Sequence, residues 1–482
     1  MNAEIRAAMT AAPLDAPADL PQDAPADLHP DAPADLRPDA PPDPDTPSVT
    51  PPEMQPDAPL DVPPEQVPPS GPGMPDIPLR RNRAYLLLTT GRFAQAIGAG
   101  VGTFAVPLLA FEVTGSVAQA GLVSGIGQVG ALAATLPAGV VADRVDRRRL
   151  LVLAATTGAG LWATVLVAGL AGSLSAWHLA AVLFGSSMVS AFVNPASGGA
   201  LRAVVPAAQM ANAMAVNQGR MAAVGLFAGP IGGLLYGMAH VLPFAASVVG
   251  HAIEAVAVSF VRRPLNRERT ERTRPLADLR EGLRFVGAVP LFRAVLVLIT
   301  LLNLTSIALI VAINLELVRT GTDPRLIGLV DACAGLSMLA GAILAGPMVR
   351  RTRVGRFGIL TIGLLVAALV VMALAPTYWV FVSMLAVGVF LYPALNAGFT
   401  GYLTVIVPDR MMGRATSLLG LTGLIAAPAA PVVGSALLEG WGIATTLWVM
   451  VGALTCVVVA LCFVRPLMRI GRPDTWPDDA LE

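Results

Sequence analysis

Four sets of residues in this 482-residue chain have types and spacings that could do chemistry. His251 and Glu254, at i and i+3 of one apolar stretch, fall on one helix face and could share a proton. Asp331 lies about two turns inside another apolar stretch, counted from Pro324 at about 1.5 Å per residue. A lone carboxylate at that depth must be protonated or paired, a property that suits proton coupling. Asp143 stands beside Arg144, Arg147 and Arg148, a spacing that allows charge-assisted hydrogen bonds able to latch two elements together. The fourth set comprises polar side chains inside apolar runs: Arg92, Gln95, Ser190, Asn194, Arg220, Asn303, Ser306, Asn314, Tyr392 and Asn396. Each is expensive in hydrocarbon, which makes it a candidate for lining a wet cavity. Serine and asparagine can equally serve helix association, and either arginine can instead extend to the membrane interface.

This is the chemistry of binding and proton transfer. A chain without lysine holds no Gly-x-x-x-x-Gly-Lys-Ser/Thr phosphate loop, and no catalytic constellation is present. Four histidines and the cysteines Cys333, Cys456 and Cys462 offer neither a metal site nor a disulfide framework. The chain is therefore expected to need no cofactor and not to be an enzyme.

The elements that must position these residues are twelve apolar stretches between Ala84 and Val464. They run near 85–111, 118–142, 149–171, 176–200, 211–237, 241–262, 293–315, 325–349, 355–375, 378–404, 415–437 and 441–464. A bilayer core of about 30 Å needs about 20 apolar residues per helix. Arginine occupies every second gap: Arg144 to Arg149, Arg202, Arg262 to Arg293, Arg350 to Arg356, Arg410 with Arg414, and the tail from Arg465. The intervening gaps hold only Arg319 and Arg325. Cationic loops stay on the cytoplasmic side, so the pattern predicts an all-α, multi-pass protein of the inner (cytoplasmic) membrane with both termini cytoplasmic. Composition agrees, since 55% hydrophobic residues, 13% charged residues and a mean hydropathy of +0.68 exclude a soluble globule of this length.

A net charge of zero hides an asymmetry. Residues 1–79 carry 15 acids against two arginines, and the remainder carries 30 arginines against 17 acids. The sequence Asp-Ala-Pro-Ala-Asp-Leu recurs from Asp15, Asp23 and Asp31 and then decays into Pro and Asp. Such a segment has too little apolar surface to offset its ordering entropy, so 1–79 is expected to be a disordered acidic cytoplasmic arm, unlike a signal peptide. A six-helix bundle is expected over 80–262 and another over 291–465, followed by a cytoplasmic tail over 466–482. Between the bundles, 263–290 repeats Leu276, Leu279, Leu283 and Val286 at helical spacing, with Arg280 and Arg284 placed to meet lipid phosphates.

The two halves correspond. Gly139-Val-Val-Ala-Asp143-Arg144 matches Gly346-Pro-Met-Val-Arg350-Arg351, Val-Val-Pro206 matches Ile-Val-Pro408, and Gly229-Pro230 matches Ala430-Pro431. Three markers in one order at nearly one offset argue for a duplicated six-helix unit, the plan of many transporters around a midplane site.

With that layout, Gly139-x-x-x-Asp143-Arg144-x-x-Arg147-Arg148 resembles the signature loop of the major facilitator superfamily, with Asp146 where that pattern usually has glycine. Asn82 with Tyr85, Gly91-Arg92, the Val-Pro-Leu-Leu run from Val106 and Phe111-Glu-Val-Thr-Gly-Ser116 are similar to the drug and siderophore exporter branch, which includes macrolide-efflux and enterobactin-exporter-like proteins. The resemblance implies a cavity lined by the first, fourth, seventh and tenth helices, and a gate made by Asp143, Arg144 and Arg148. Gly225, Gly229, Pro230 and Gly233 allow close helix approach and a kink, and resemble the Gly-Pro element of antiporters, with Leu234 departing from it. The mostly neutral lining fits an apolar or mixed-polarity substrate. The expected function is a proton-antiporting exporter of small molecules working by alternating access. Its partners are its substrate, protons and the lipid bilayer, with no nucleic acid, and it is expected to be a monomer. A symporter or lipid flippase on the same fold, or a transport-inactive scaffold or sensor, are the alternatives.

Overall fold

Hydrocarbon offers a backbone no hydrogen-bond partner but itself, so a chain crosses it as helices or as a closed β-barrel, and runs of about 20 apolar residues suit helices. The computed structural model describes residues 77–266, 290–406, 409–463, 471 and 476, and these residues contain helices and no strand. The first half comprises α1 (Arg83–Thr114), α2 (Val117–Arg144), α3 (Arg147–Leu170), α4 (Ala176–Val204), α5 (Met210–Met238) and α6 (Leu242–Ser259). The second comprises α7 (Pro290–Arg319), α8 (Pro324–Arg351), α9 (Val354–Leu374), α10 (Tyr378–Val389), α11 (Tyr392–Ile406) and α12 (Asp409–Phe463). Among the described residues, eleven helices or helix pairs are long and apolar enough to cross a membrane. The predicted tenth span is α10 followed by α11. The predicted eleventh and twelfth both lie in α12, whose 55 residues are broken at Gly442, where φ is 73° and ψ is 171°. The acidic arm up to residue 76, the connector around Leu276 and Arg280, and all of the tail except Gly471 and Trp476 lie outside the described residues.

Helix starts are set by side chains that satisfy exposed amides. Asn82 accepts from the Tyr85 amide at 3.2 Å and donates to the Val204 carbonyl at 2.8 Å, which ties the start of α1 to the end of α4. Ser116, Asp146, Ser175 and Asp323 cap α2, α3, α4 and α8 in the same way. Asp146 explains the departure from the signature loop. It sits at φ −58°, where no glycine is required, and its carboxylate accepts from the Arg149 amide at 2.9 Å.

Within the first half α1 packs on α6, α5 and α2, α2 on α4, and α3 on α4 and α6. Within the second, α7 and α9 pack on α12, and α8 packs on α10 and α11. Among the described residues the halves meet mainly where α5 packs on α8 and α2 on α12, with lesser contacts of α7 on α1 and α2. Small residues make the tight crossings possible. A Cβ at Gly98 of α1 would lie 2.7 Å from the Ala246 carbonyl oxygen, and one at Gly250 of α6 would lie 2.5 Å from that of Ala94. Between the halves, a Cβ at Gly229 would meet Asp331 at 2.8 Å, and one at Gly125 would meet the Pro428 carbonyl oxygen at 2.8 Å. These cross-half contacts lie toward the arginine-poor ends of the helices. Near the arginine-bearing ends, side chains added at Gly139, Gly219 and Gly346 would meet nothing within 4 Å.

Gly98→Val is expected to destabilise the protein by about 1–3 kcal/mol, because backbone atoms cannot yield to the new methyl groups. Gly363→Ala, with nothing within 4 Å of its added Cβ, should be close to neutral. The thermal midpoint of purified protein in detergent measures both.

Candidate functional site

The most extensive polar cluster lies between α1 and α6. Gly91, one residue before Arg92, lets α6 approach so closely that an added Cβ would lie 3.2 Å from the Glu254 Cα. Arg92 Nη1 then donates to Glu254 Oε1 at 3.2 Å and to Gln95 Oε1 at 3.3 Å. Glu254 is 2% exposed at its side chain and Arg92 17%, so the ion pair is shielded from solvent. Gln95 Nε2 approaches His251 Nε2 at 3.4 Å, and His251 Nδ1 lies 2.8 Å from the Ser247 carbonyl oxygen. This pattern fits the neutral ring, with Nδ1 donating to the carbonyl and Nε2 accepting from the amide. Ser247 donates back to the Gly98 carbonyl at 2.7 Å. Arg220 of α5 donates to Asn217 at 2.6 Å and lies within electrostatic range of Arg92 and Glu254.

Residues predicted in two sets, His251 with Glu254 and Arg92 with Gln95, thus form one chain of contacts, with Arg220 beside it. One expectation changes. Glu254 takes Arg92 as its partner and His251 takes Gln95 and Ser247, so His251 and Glu254, expected to share a proton directly, are linked instead through Arg92 and Gln95.

Asp331 is placed differently. It sits at the crossing of α5 and α8, where Gly229 leaves room for its side chain, and its Oδ1 accepts from Asn314 Nδ2 of α7 at 3.5 Å. Gly233 fits against the Pro324 backbone, and Gly328 against the Gly229 backbone. Gly229, Pro230 and Gly233 are therefore an interface between the halves, whereas Gly225 would meet nothing within 4 Å. Asn303 donates to Thr422 at 3.3 Å, which links α7 to α12, and Ser306 is half-buried. Ser190 and Asn194, at i and i+4 on α4, and Tyr392 and Asn396, at i and i+4 on α11, are exposed.

In the signature loop, Gly139 lies near the end of α2. Asp143 follows it, with a side chain outside the described residues. Arg144 is exposed. Arg147 Nη1 donates to the Leu265 carbonyl at 3.1 Å, its amide donates to Asn266 Oδ1 at 3.1 Å, and Arg148 donates to the Ser259 carbonyl. These bonds tie the loop to the end of α6, where the helix leaves carbonyls unpaired.

At the opposite end Glu439 accepts from Ser116 Oγ at 2.8 Å and from the Ala118 amide at 2.5 Å, placing a carboxylate of one half on the helix N-terminus of the other. Sequence reasoning passed over Glu439, since 323 residues separate it from Ser116 and no local pattern links them. Arg319, an exception to the arginine rule, is held by both carboxylate oxygens of Glu316 at 2.7 and 3.0 Å.

A sequence model of the Major Facilitator Superfamily matches this chain twice, over residues 88–318 and 294–480. The chain belongs to the major facilitator superfamily. It is 25% identical over 397 residues to the multidrug efflux pump Tap of Mycolicibacterium fortuitum, an alignment covering 79% of this chain and 95% of that protein. Its fold is similar to that of a bacterial homologue of the iron transporter ferroportin in an inward-facing state, at 16% identity and a TM-score of 0.63 over 80% of this chain and 99% of the other. A bacterial homologue of the lysosomal transporter Spinster follows at 16% identity and 0.60, over 81% and 99%. Likenesses at this identity bear on the fold alone. As a member of this superfamily the chain is a multi-pass membrane protein of a transporter family, with the twelve-span fold its sequence predicted.

Removing one member of the Arg92 and Glu254 pair strands the other in an apolar setting. Arg92→Gln and Glu254→Gln should each destabilise by about 3–5 kcal/mol, and the double variant should recover a large part of the loss. Unfolding of purified protein in mixed micelles gives the cycle. Strict additivity would mean that the two side chains do not interact.

Proposed function

We propose that this chain is a secondary active exporter that moves a small molecule, such as a drug, siderophore or secondary metabolite, out of the cytoplasm in exchange for protons. The similarity to an efflux pump over 95% of that pump's length supports the export direction and the cargo class. Arginine-bearing loops on alternate gaps support a cytoplasmic membrane location with both termini inside. In this reading the protein works as a monomer in the bilayer. Asp143, Arg144, Arg147 and Arg148 gate the cytoplasmic face, and the polar residues of the first, fourth, seventh and tenth spans line the path of the substrate.

The observation that carries the reading is the place of Asp331. Its described hydrogen bond comes from a neutral amide, Asn314, and it abuts Gly229 of the other half. A carboxylate on a boundary that must open and close meets water in one state and hydrocarbon in the other. Gain and loss of its proton can therefore be tied to the movement. Glu254, held by a guanidinium inside one half, lacks that coupling to the boundary.

Asp331→Asn is expected to leave downhill movement intact and to abolish accumulation driven by a pH gradient, whereas Glu254→Gln keeps gradient-driven transport in whatever fraction folds. Flux into or out of proteoliposomes with and without an imposed gradient makes the measurement. Gradient-driven accumulation by Asp331→Asn at the wild-type level would move the coupling role elsewhere.

A further inference from the structure

The cluster between α1, α5 and α6 is unbalanced in charge. Among the described residues facing it, the ionisable groups are Arg92, Arg220, Glu254, His251 and Tyr85. Two guanidiniums face one carboxylate, and the bonds of His251 are those of a neutral ring. Arg220 donates only to a neutral amide oxygen, that of Asn217. The Nε atoms of both Arg92 and Arg220 are buried with no hydrogen-bond partner.

Arg92 is nine residues inside α1 and Arg220 ten inside α5, so both lie about 14–15 Å along their helices from the arginine-bearing end at 1.5 Å per residue. Both side chains are half-buried, and an excess cation shielded from water is costly unless it is offered a counterion. Glu254 already serves Arg92. Arg220 and the unused donors of Arg92 remain.

We propose that Arg92 and Arg220 bind a carboxylate carried by the transported molecule, so that the cargo class includes organic acids and zwitterions with a carboxylate. The inference rests on the exporter reading and deepens it. It also revises the expectation of a neutral lining. A guanidinium presents a planar fork of donors that matches a carboxylate edge to edge, and a low-dielectric surrounding strengthens the contact. Glu254 then acts as the resident competitor that holds Arg92 when the cargo is absent. An anionic lipid headgroup shares the chemistry, but the depth of the two arginines favours cargo over headgroup phosphate.

The test is equilibrium binding to the full-length protein in phosphatidylcholine nanodiscs, with fluorescein and fluorescein methyl ester as probes and fluorescence anisotropy as the readout. The two dyes share a ring system and differ in one carboxylate. Wild type should bind the acid about tenfold more tightly than the ester, which corresponds to about 1.4 kcal/mol. Arg220→Gln should bring the two within about twofold while still binding the ester, which certifies its fold, and Arg220→Lys should keep part of the preference. If Arg220→Gln loses the ester as well, competition on wild type decides, with benzoate expected to displace fluorescein and to spare the ester. Equal wild-type affinities, an undiminished preference in a folded Arg220→Gln, or failure of benzoate to displace fluorescein would each overturn the proposal. Loss of the preference when phosphatidylglycerol replaces phosphatidylcholine would assign the arginines to a headgroup and overturn it too. No gradient is present, so a negative result leaves the exporter reading, which is judged by flux, untouched.

Discussion

The structure depends first on the pairing of Arg92 with Glu254. A guanidinium about 14 Å along a membrane helix needs a partner, and the one it has is on α6, 162 residues away in sequence. That requirement fixes the register of α1 against α6, and the glycines at 91, 98 and 250 let the helices come close enough to meet it. Once α6 is docked, its end supplies the carbonyl that Arg148 binds, and the following segment supplies the Leu265 carbonyl that accepts from Arg147 and the Asn266 side-chain amide that donates to Asp146. The signature loop and the buried pair are thus two ends of one assembled half.

The halves are joined by different means. Lipid tails are as apolar as leucine, so nothing resembling the hydrophobic effect drives the bundles together, and close van der Waals contact between small residues does the work. Gly229 against Asp331, Gly233 against Pro324 and Gly125 against Pro428 are contacts of this kind. They involve few hydrogen bonds, so parting them leaves few polar groups stranded. Glu439 on the start of α2 is a polar tie at the arginine-poor end, and it lies at the surface where water can replace it. An interface like this can open on one side and close on the other.

Much of this was legible in the sequence, because the bilayer writes its constraints locally. The apolar runs are short-range patterns, and the helices recover their bounds within a few residues. The break at Gly442 falls at the gap read between the eleventh and twelfth runs, whereas the interruption between α10 and α11 lies inside one apolar run, 378–404, whose sequence shows no gap. Gln95, His251 and Glu254, which the structure buries, were readable for the same reason as the spans, since each violates an apolar background, whereas Ser190, Asn194, Tyr392 and Asn396 violate it equally and are exposed. The partners of the buried residues were not readable. Glu254 has His251 one turn away and Arg92 162 residues away, and the nearer neighbour was the wrong one. Arg220 lies beside Arg92, 128 positions away in sequence, a pairing that no local pattern shows. Tertiary pairing is a property of two helices at once, and a one-dimensional pattern carries only one of them.

Export by alternating access, as proposed, requires the two halves to separate at the arginine-poor end during each cycle. Ser116→Cys with Glu439→Cys, in a background lacking Cys333, Cys456 and Cys462, places two thiols where a hydrogen bond now joins the halves. Oxidation to the disulfide in proteoliposomes should stop transport, and reduction should restore it. Undiminished transport by fully cross-linked protein would contradict the account.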